Sequence, residues 1–129
     1  LARLRNEKER LCEVVLHTGL EKYRMHALLD TGNALTDPVS GEPVSVIDPA
    51  CAQKILEKER EQTGVRYIPY RTVGGEGVMP VFRAEQMEVF LSGKKGEFRI
   101  QRPIIGICEG SISGQEEYQM ILNPDVLTY

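Results

Sequence analysis

The stretch that decides the fold is Ala27-Leu28-Leu29-Asp30-Thr31-Gly32-Asn33, where an apolar strand runs into an acid, a hydroxyl residue and a glycine. Apolar residues before Asp30 place its carboxylate at the rim of the core, where it can act as an acid or a base. Thr31 can hydrogen-bond nearby backbone groups, and Gly32 lets the chain fold back tightly because it has no Cβ. Taken alone, the Asp-Thr-Gly triplet is equally compatible with a strand followed by an ordinary turn.

The length and composition are typical of one soluble globular domain, and we assign residues 1–129 to a single domain. Hydrophobic residues make up 41% and charged residues 27% of the chain, with a net charge of −3. This acidic balance argues against a nucleic-acid surface, which needs a basic patch. Residues 1–10 are strongly charged and predict a linker. Because the chain starts at Leu1 rather than Met, we expect it to be a fragment of a longer protein.

The cysteines and histidines do not form a metal-binding or redox pattern. Cys12, Cys51 and Cys108 are odd in number and lack a CxxC spacing, which is typical of reduced structural thiols. His17 and His26 lie in strand-like segments without an HExxH motif or a cysteine partner. We therefore predict no metal site and no cofactor.

Alternating apolar and polar residues predict a sheet of short strands. Residues 12–18 and 23–29 alternate on either side of a turn, so they predict a hairpin that leads into Asp30. Further strands are predicted at residues 43–47, 65–70, 86–91, 97–101, 102–108 and 118–123, followed by a helical turn that opens at Pro124. Many short strands with one or two helices indicate a mainly β domain with a partly closed, barrel-like sheet.

One helix is predicted between these strands. Asp48 is a suitable N-cap and Pro49 suits the first helical position, so the helix should run from residue 49 to about residue 62. Its apolar stripe is narrow. The charged residues 57–61 predict a solvated face, with a partner surface as the alternative.

A glycine-rich stretch, Gly74-Gly75-Glu76-Gly77, lies between two extended segments and predicts a mobile hairpin tip. The stretch lacks the Gly-Lys-[Ser/Thr] ending of a phosphate loop, and no helical pattern follows it, which argues against nucleotide binding. A plain hairpin and a flap over a cleft are the two remaining interpretations.

The order of these parts resembles that of a retroviral-type aspartic peptidase. The resemblance covers most of residues 12–128 and implies a mainly β, retropepsin-like acid protease half-barrel with one or two short helices. In such a fold the flap, here Gly74, Gly75 and Gly77, closes over the substrate. A second apolar segment, here Ile121, Leu122 and Asn123, braces the Asp-Thr-Gly loop. The chain departs from the pattern at Asn123, where glycine is usual, and in the helix at residues 49–62, which resembles an insertion.

A longer stretch resembles a more specific family, the sporulation sigma-E factor-processing peptidases of endospore-forming bacteria. It consists of Leu28-Leu29-Asp30-Thr31-Gly32-Asn33-Ala34-Leu35 followed by Asp37-Pro38-x-Ser40-Gly41-x-Pro43-Val44. The resemblance implies an N-terminal membrane-embedded half outside this chain and a protease domain on the cytoplasmic face of the mother-cell membrane. It also implies an inactive sigma-E precursor as substrate, whose pro-sequence is removed, and a secreted activator protein from the forespore.

Peptide hydrolysis by carboxylates needs two of them on one water molecule, and this chain has a single Asp-Thr-Gly. The chain is also too short for two peptidase lobes, so we expect a symmetric homodimer that brings two copies of Asp30 together. The pair would share one proton, because two like charges ~3 Å apart resist ionising together. Asp30 is thus the predicted catalytic residue, supported by Thr31, Gly32 and Asn33.

Two alternatives remain at this point. The first is a non-catalytic retropepsin-like module that binds peptides or dimerises, which the unusual Asn123 and the missing upstream half leave open. The second is an unrelated small β-barrel in which the triplet occurs by coincidence. The other aspartates, Asp37, Asp48 and Asp125, lie in turn or cap contexts and are interpreted as structural.

Overall fold

The computed structural model describes residues 11–59, 64–72, 74–92, 96–112 and 117–128. The predicted linker at residues 1–10 lies outside these ranges. The described elements are β1 (Leu11–His17), β2 (Lys22–Leu29), β3 (Val44–Ile47), α1 (Pro49–Lys58), β4 (Arg66–Thr72), β5 (Gly75–Arg83), β6 (Gln86–Leu91), β7 (Phe98–Gln101), β8 (Ile104–Ile107), β9 (Met120–Leu122) and a 3-10 helix (Pro124–Leu127).

The described strands form one strongly curled, open sheet in the order β4-β5-β8-β3-β9-β2-β1-β6-β7. Strands β1 and β2 pair as the predicted antiparallel hairpin. Strand β9 lies between β2, to which it is parallel, and β3, to which it is antiparallel. The prediction of a mainly β, half-barrel fold is confirmed.

Two hydrophobic clusters hold the sheet together. The larger cluster collects alternating residues of the β1–β2 hairpin, such as Val14, Leu16 and Ala27, with residues from β6, β9 and α1. The smaller cluster lies beneath the β4–β5 hairpin and consists of Val44, Ile68, Met79, Val81 and Ile104. The root of this hairpin is therefore anchored by buried apolar contacts.

Helix α1 begins as predicted but ends earlier. Asp48 caps it by accepting a hydrogen bond from the Ala50 N–H at 3.0 Å, and Ala52 and Ile55 are buried. The helix ends at Lys58 rather than near residue 62. The prediction of a solvated face at 57–61 is wrong for Glu59, which is only 1% exposed, and residues 60 and 61 lie outside the described residues. Glu59 lies one turn after Ile55, so it falls on the same buried side of the helix.

The predicted strand at 102–108 begins two residues late. Arg102 adopts a positive φ of 54°, and Pro103 has no N–H to donate to a neighbouring strand. These two residues therefore form the turn between β7 and β8. No helix within the described ranges is long and apolar enough to cross a membrane.

Candidate active site

The loop that carries Asp30 is fixed at its start by strand β9. Leu28 pairs with Ile121 in the parallel ladder, and the Asp30 N–H donates to the Leu122 carbonyl at 3.2 Å. Ile121 lines the groove described below, whereas Leu122 is buried in the larger core cluster. The segment predicted to brace the triplet therefore lies directly beside it.

The turn after Asp30 orients its carboxylate. Asp30 Oδ1 accepts a hydrogen bond from the Gly32 N–H at 2.9 Å, and the Asn33 N–H donates to the Asp30 carbonyl at 2.9 Å. A Cβ on Gly32 would lie 3.3 Å from Asp30 Oδ1, which is a tight approach. Thr31 is exposed at the tip of this turn.

Asn33 connects the turn to the rest of the sheet. Its side-chain Oδ1 accepts from the Leu35 N–H at 3.0 Å, and its Nδ2 donates to the Val44 carbonyl at 3.3 Å. Through these bonds the loop that carries Asp30 is connected to the start of β3.

Asn123 makes its own bracing contacts from a fully buried position. Its Nδ2 donates to the Leu35 carbonyl at 2.9 Å, and its Oδ1 accepts from the Asp125 N–H at 3.0 Å. Its N–H donates to the Ser45 hydroxyl at 3.0 Å. Because Asn123 has an ordinary φ of −76°, the backbone here does not require glycine.

A groove of about 700 Å³ opens between the Asp30 loop and the β4–β5 hairpin. Most of its wall is apolar, and Asp30 is the sole carboxylate among the described residues that line it. The lining residues are Asp30, Gly32, Asn33, Ala34, Leu35, Thr36, Pro38, Val46, Pro69, Tyr70, Arg71, Met79 and Ile121. A groove of this kind suits an extended, partly apolar chain passing over one acidic group.

The hairpin of β4 and β5 forms the upper wall of the groove. At its tip Gly75 adopts a φ of 133°, which favours glycine. Gly77 lies opposite Tyr70, and a Cβ there would meet the Tyr70 ring at 2.8 Å. Gly74, Gly75 and Gly77 are not among the groove-lining residues, and Gly77 lines an adjoining pocket of about 410 Å³.

Sequence reasoning missed several groove residues, namely Pro69, Tyr70, Arg71 and Met79. The alternation in the two arms of the hairpin could have indicated which residues face inward. It could not have shown that this face lies opposite Asp30, because that depends on the curl of the whole sheet.

Asp37 is buried, and its contacts agree with the structural interpretation. Its side chain accepts from the Val39 N–H at 3.0 Å and from the Ser40 hydroxyl at 3.2 Å, and it pairs with Arg66. The hydrogen bond from the Arg66 guanidinium is the main reason that the pKa of Asp37 is lowered to about 2.

No cluster of three or more potential metal ligands occurs within the described ranges. All three cysteines are free, and burial raises the pKa of the Cys12 thiol to about 11. His17 hydrogen-bonds Glu88 on the neighbouring strand β6, and this bond lowers the pKa of Glu88. None of these cysteine, histidine and glutamate side chains lines the groove.

Comparison with known proteins identifies the family. Residues 2–126 match the profile of the peptidase family described as sporulation factor SpoIIGA, so the chain belongs to this family. The sporulation sigma-E factor-processing peptidase of Priestia megaterium is 22% identical over 138 residues, covering 92% of this chain and 45% of that protein. The resemblance inferred from the Asp30 stretch is confirmed.

Two further relatives have similar names. A sporulation sigma-E factor-processing peptidase homologue of Clostridium acetobutylicum is 24% identical over 100 residues, covering 77% of this chain and 35% of its own length. A sporulation sigma factor-processing peptidase homologue of Bacillus thuringiensis subsp. kurstaki is 23% identical over 139 residues, with coverages of 92% and 85%. The chain thus spans less than half of the first two relatives. No solved structure matches it.

Proposed function

We propose that this chain is the protease domain of a sporulation peptidase that removes the pro-sequence of a sigma factor precursor by an aspartic mechanism. The observation that carries the proposal is the placement of Asp30 at the end of a buried strand, in a loop braced by β9 and open to the groove. Membership of a peptidase family and the names of the relatives support the reaction class and the substrate.

The second carboxylate comes from a second copy of the chain. Among the described residues, the groove of one chain contains a single carboxylate, and hydrolysis through carboxylates needs two on one water. In a symmetric homodimer the unprotonated Asp30 takes a proton from water as the water attacks the peptide carbonyl carbon. The protonated Asp30 of the other copy donates its proton to the carbonyl oxygen, which gives a tetrahedral diol. The first Asp30 then passes the proton taken from water to the amide nitrogen while the second Asp30 takes a proton back from a diol hydroxyl, so that the C–N bond breaks and an acid and an amine are released.

The neighbouring residues hold this pair in place. Gly32 donates its N–H to the carboxylate, and Asn33 ties the turn to β3. Thr31 is exposed at the tip of the turn, and in the proposed dimer it bonds across the two-fold axis. Asn123 fixes the loop from below through the Leu35 carbonyl.

The substrate binds as an added strand between the Asp30 loop and the hairpin of β4 and β5, with main-chain hydrogen bonds on both sides. The flap glycines Gly74, Gly75 and Gly77 allow the tip to close and to exclude water from the reacting bond. Apolar groove residues such as Met79 and Ile121 supply pockets for substrate side chains.

We also propose that the domain acts at the cytoplasmic face of the mother-cell membrane, anchored by an N-terminal half, and responds to a secreted forespore activator. The resemblance implies this arrangement, and the first two relatives are long enough to hold such a half, since the match covers only 45% and 35% of them. The non-catalytic alternative depended on Asn123 and on the upstream half that lies outside this chain. Because Asn123 makes the bracing contacts itself, its presence does not favour that alternative.

The proposal is tested by co-expressing the peptidase with the sigma factor precursor and activator, and by measuring the fraction of precursor processed. Asp30→Asn keeps the size of the side chain and its hydrogen bond to Gly32, and it should abolish processing. Glu57→Gln removes an exposed acid on α1 and serves as the matched control, with processing unchanged. Processing by a folded Asp30→Asn variant at the normal rate would overturn the aspartic mechanism.

A further inference from the structure

A turn of six residues, 37–42, adjoins the groove and contributes Pro38 to its lining. Thr36 and Pro38 line the groove on either side of Asp37, while the Asp37 side chain is 0% exposed. The turn is closed by two backbone hydrogen bonds, from the Asp37 N–H to the Glu42 carbonyl at 2.9 Å and from the Gly41 N–H to the Asp37 carbonyl at 2.7 Å. It is thus a compact unit with a buried carboxylate at its centre.

Both strands of the β4–β5 hairpin are attached to this turn at their roots. Arg66, the first residue of β4, pairs with Asp37, and Arg83, the last residue of β5, pairs with Glu42. The Ser40 hydroxyl donates to Asp37 Oδ2 and lies 3.2 Å from Glu42 Oε2, so it connects the two acids. Two cations at the root of the hairpin therefore meet two anions of the turn.

The attachment matters most for β4, because β4 is the edge of the described sheet and hydrogen-bonds along its length only to β5. Three residues of this strand, Pro69, Tyr70 and Arg71, line the groove. A two-stranded hairpin has little stability of its own. Only the last residues of β5, Val81 to Arg83, pair with β8. The position of the rest of the hairpin over Asp30 therefore depends on the contacts at its root, both the apolar cluster and the ion pairs.

We propose that the Asp37–Arg66 pair anchors the β4–β5 hairpin and so sets its distance from Asp30. Both residues are then positioning residues for substrate binding. The pair is a charge-assisted hydrogen bond to a buried carboxylate. Removal of one partner from such a pair is strongly destabilising, because it leaves a buried charge without its partner. The Glu42–Arg83 pair holds the second strand in the same way. This inference rests on the proposed function for its consequence in catalysis, but its structural part does not depend on activity.

The first test is amide hydrogen exchange in the intact chain without substrate. Arg66→Gln should speed exchange across residues 66–72 and 75–83 by about tenfold, the size expected for loss of one charge-assisted hydrogen bond. Exchange in β1 and β2 should stay unchanged. Arg99→Gln is the matched control, since Arg99 pairs with Glu97 on the surface near the opposite edge of the sheet and its loss should leave the hairpin unaffected.

If the exchange rate in the hairpin were unchanged, or if it rose equally in β1 and β2, the proposal that the Asp37–Arg66 pair anchors the hairpin would be wrong. Arg66→Lys keeps the charge but not the planar fork, and it should give an intermediate increase, which keeps the test available if Arg66→Gln does not fold. Because hydrogen exchange needs no cleavage, a protein without peptidase activity would refute the proposed function while leaving this test intact.

The second test uses a cleavable peptide from the precursor. Arg66→Gln should raise KM about fivefold or more while kcat changes less than about twofold, because a loosened flap weakens binding without touching the carboxylates. Asp37→Asn should produce the same split, and combining it with Arg66→Gln should add little. A fall in kcat alone, or full additivity of the two variants, would contradict a shared positioning role.

Discussion

Replacement of Asn123 by alanine tests whether a buried amide can serve as the brace of the Asp30 loop. The side chain beyond Cβ makes two well-formed hydrogen bonds, to the Leu35 carbonyl at 2.9 Å and from the Asp125 N–H at 3.0 Å, and a longer contact of 3.5 Å to the Val44 carbonyl. Alanine removes all of them, although the Leu35 carbonyl still accepts from the Val44 N–H at 2.9 Å. The site is fully buried, so solvent does not readily replace the lost partners.

The expected loss of stability follows from these contacts. Loss of the cap on the 3-10 helix costs about 1 kcal/mol, and loss of the hydrogen bond to the Leu35 carbonyl, which keeps the Val44 N–H as a donor at 2.9 Å, costs about 0.5–1.5 kcal/mol more. We therefore expect the free energy of unfolding to fall by about 1.5–2.5 kcal/mol, a large part of the ~5–15 kcal/mol of a typical domain.

The assay is urea unfolding followed by circular dichroism, with the slope of the transition compared between variants. Gln53→Ala is the matched control, because Gln53 is exposed on α1 with a single surface hydrogen bond, and it should change stability by less than about 0.5 kcal/mol. A loss below about 1 kcal/mol for Asn123→Ala, with an unchanged slope, would refute the argument that this amide braces the loop.

Two further predictions concern charge and packing. The pKa of Asp37 is about 2 in the folded chain, below its value of 3.8 in the absence of partners, so its charge stabilises the fold above about pH 4 and this contribution is lost as the pH falls towards 2. Asp37→Asn should flatten the decline of stability between about pH 4 and 2, measured by urea unfolding, and an unchanged decline would contradict it. Gly106→Ala places a Cβ 2.5 Å from Met79 Sδ and 3.1 Å from Val46 Cγ1. This crowding should destabilise the chain by about 1–3 kcal/mol. Gly110→Ala is the control and should not destabilise it, because no atom lies within 4 Å of a Cβ at that position. Equal effects of the two substitutions in thermal unfolding would contradict the packing argument.

Local sequence patterns predicted the parts of this fold that depend on neighbouring residues. Alternation predicted the hairpin that ends at Asp30, and the Asp48-Pro49 pair predicted the start of α1. The 3-10 helix begins at Pro124, as the sequence indicated. These features need only the side-chain period of a strand or the chemistry of a cap, both of which are visible within a few residues.

Features that depend on distant residues were not predicted. Arg66 lies 29 residues from Asp37, and nothing in either local pattern indicates that the two pair. Glu59 lies in a charged run, yet the packing of α1 buries it. The parallel pairing of β2 with β9 joins segments about 90 residues apart, so no local sequence pattern indicates it. The bracing segment beside Asp30 was therefore expected only from resemblance to a family.

The most direct test of the catalytic proposal is the distance between the two Asp30 carboxylates in a crystal of the chain bound to a statine-containing peptide. The account predicts two chains related by a two-fold axis, with the carboxylates ~3 Å apart and the hydroxyl of the inhibitor between them. An inhibitor bound in the groove of a single chain, with the Asp30 loops of every pair of chains far apart, would contradict it.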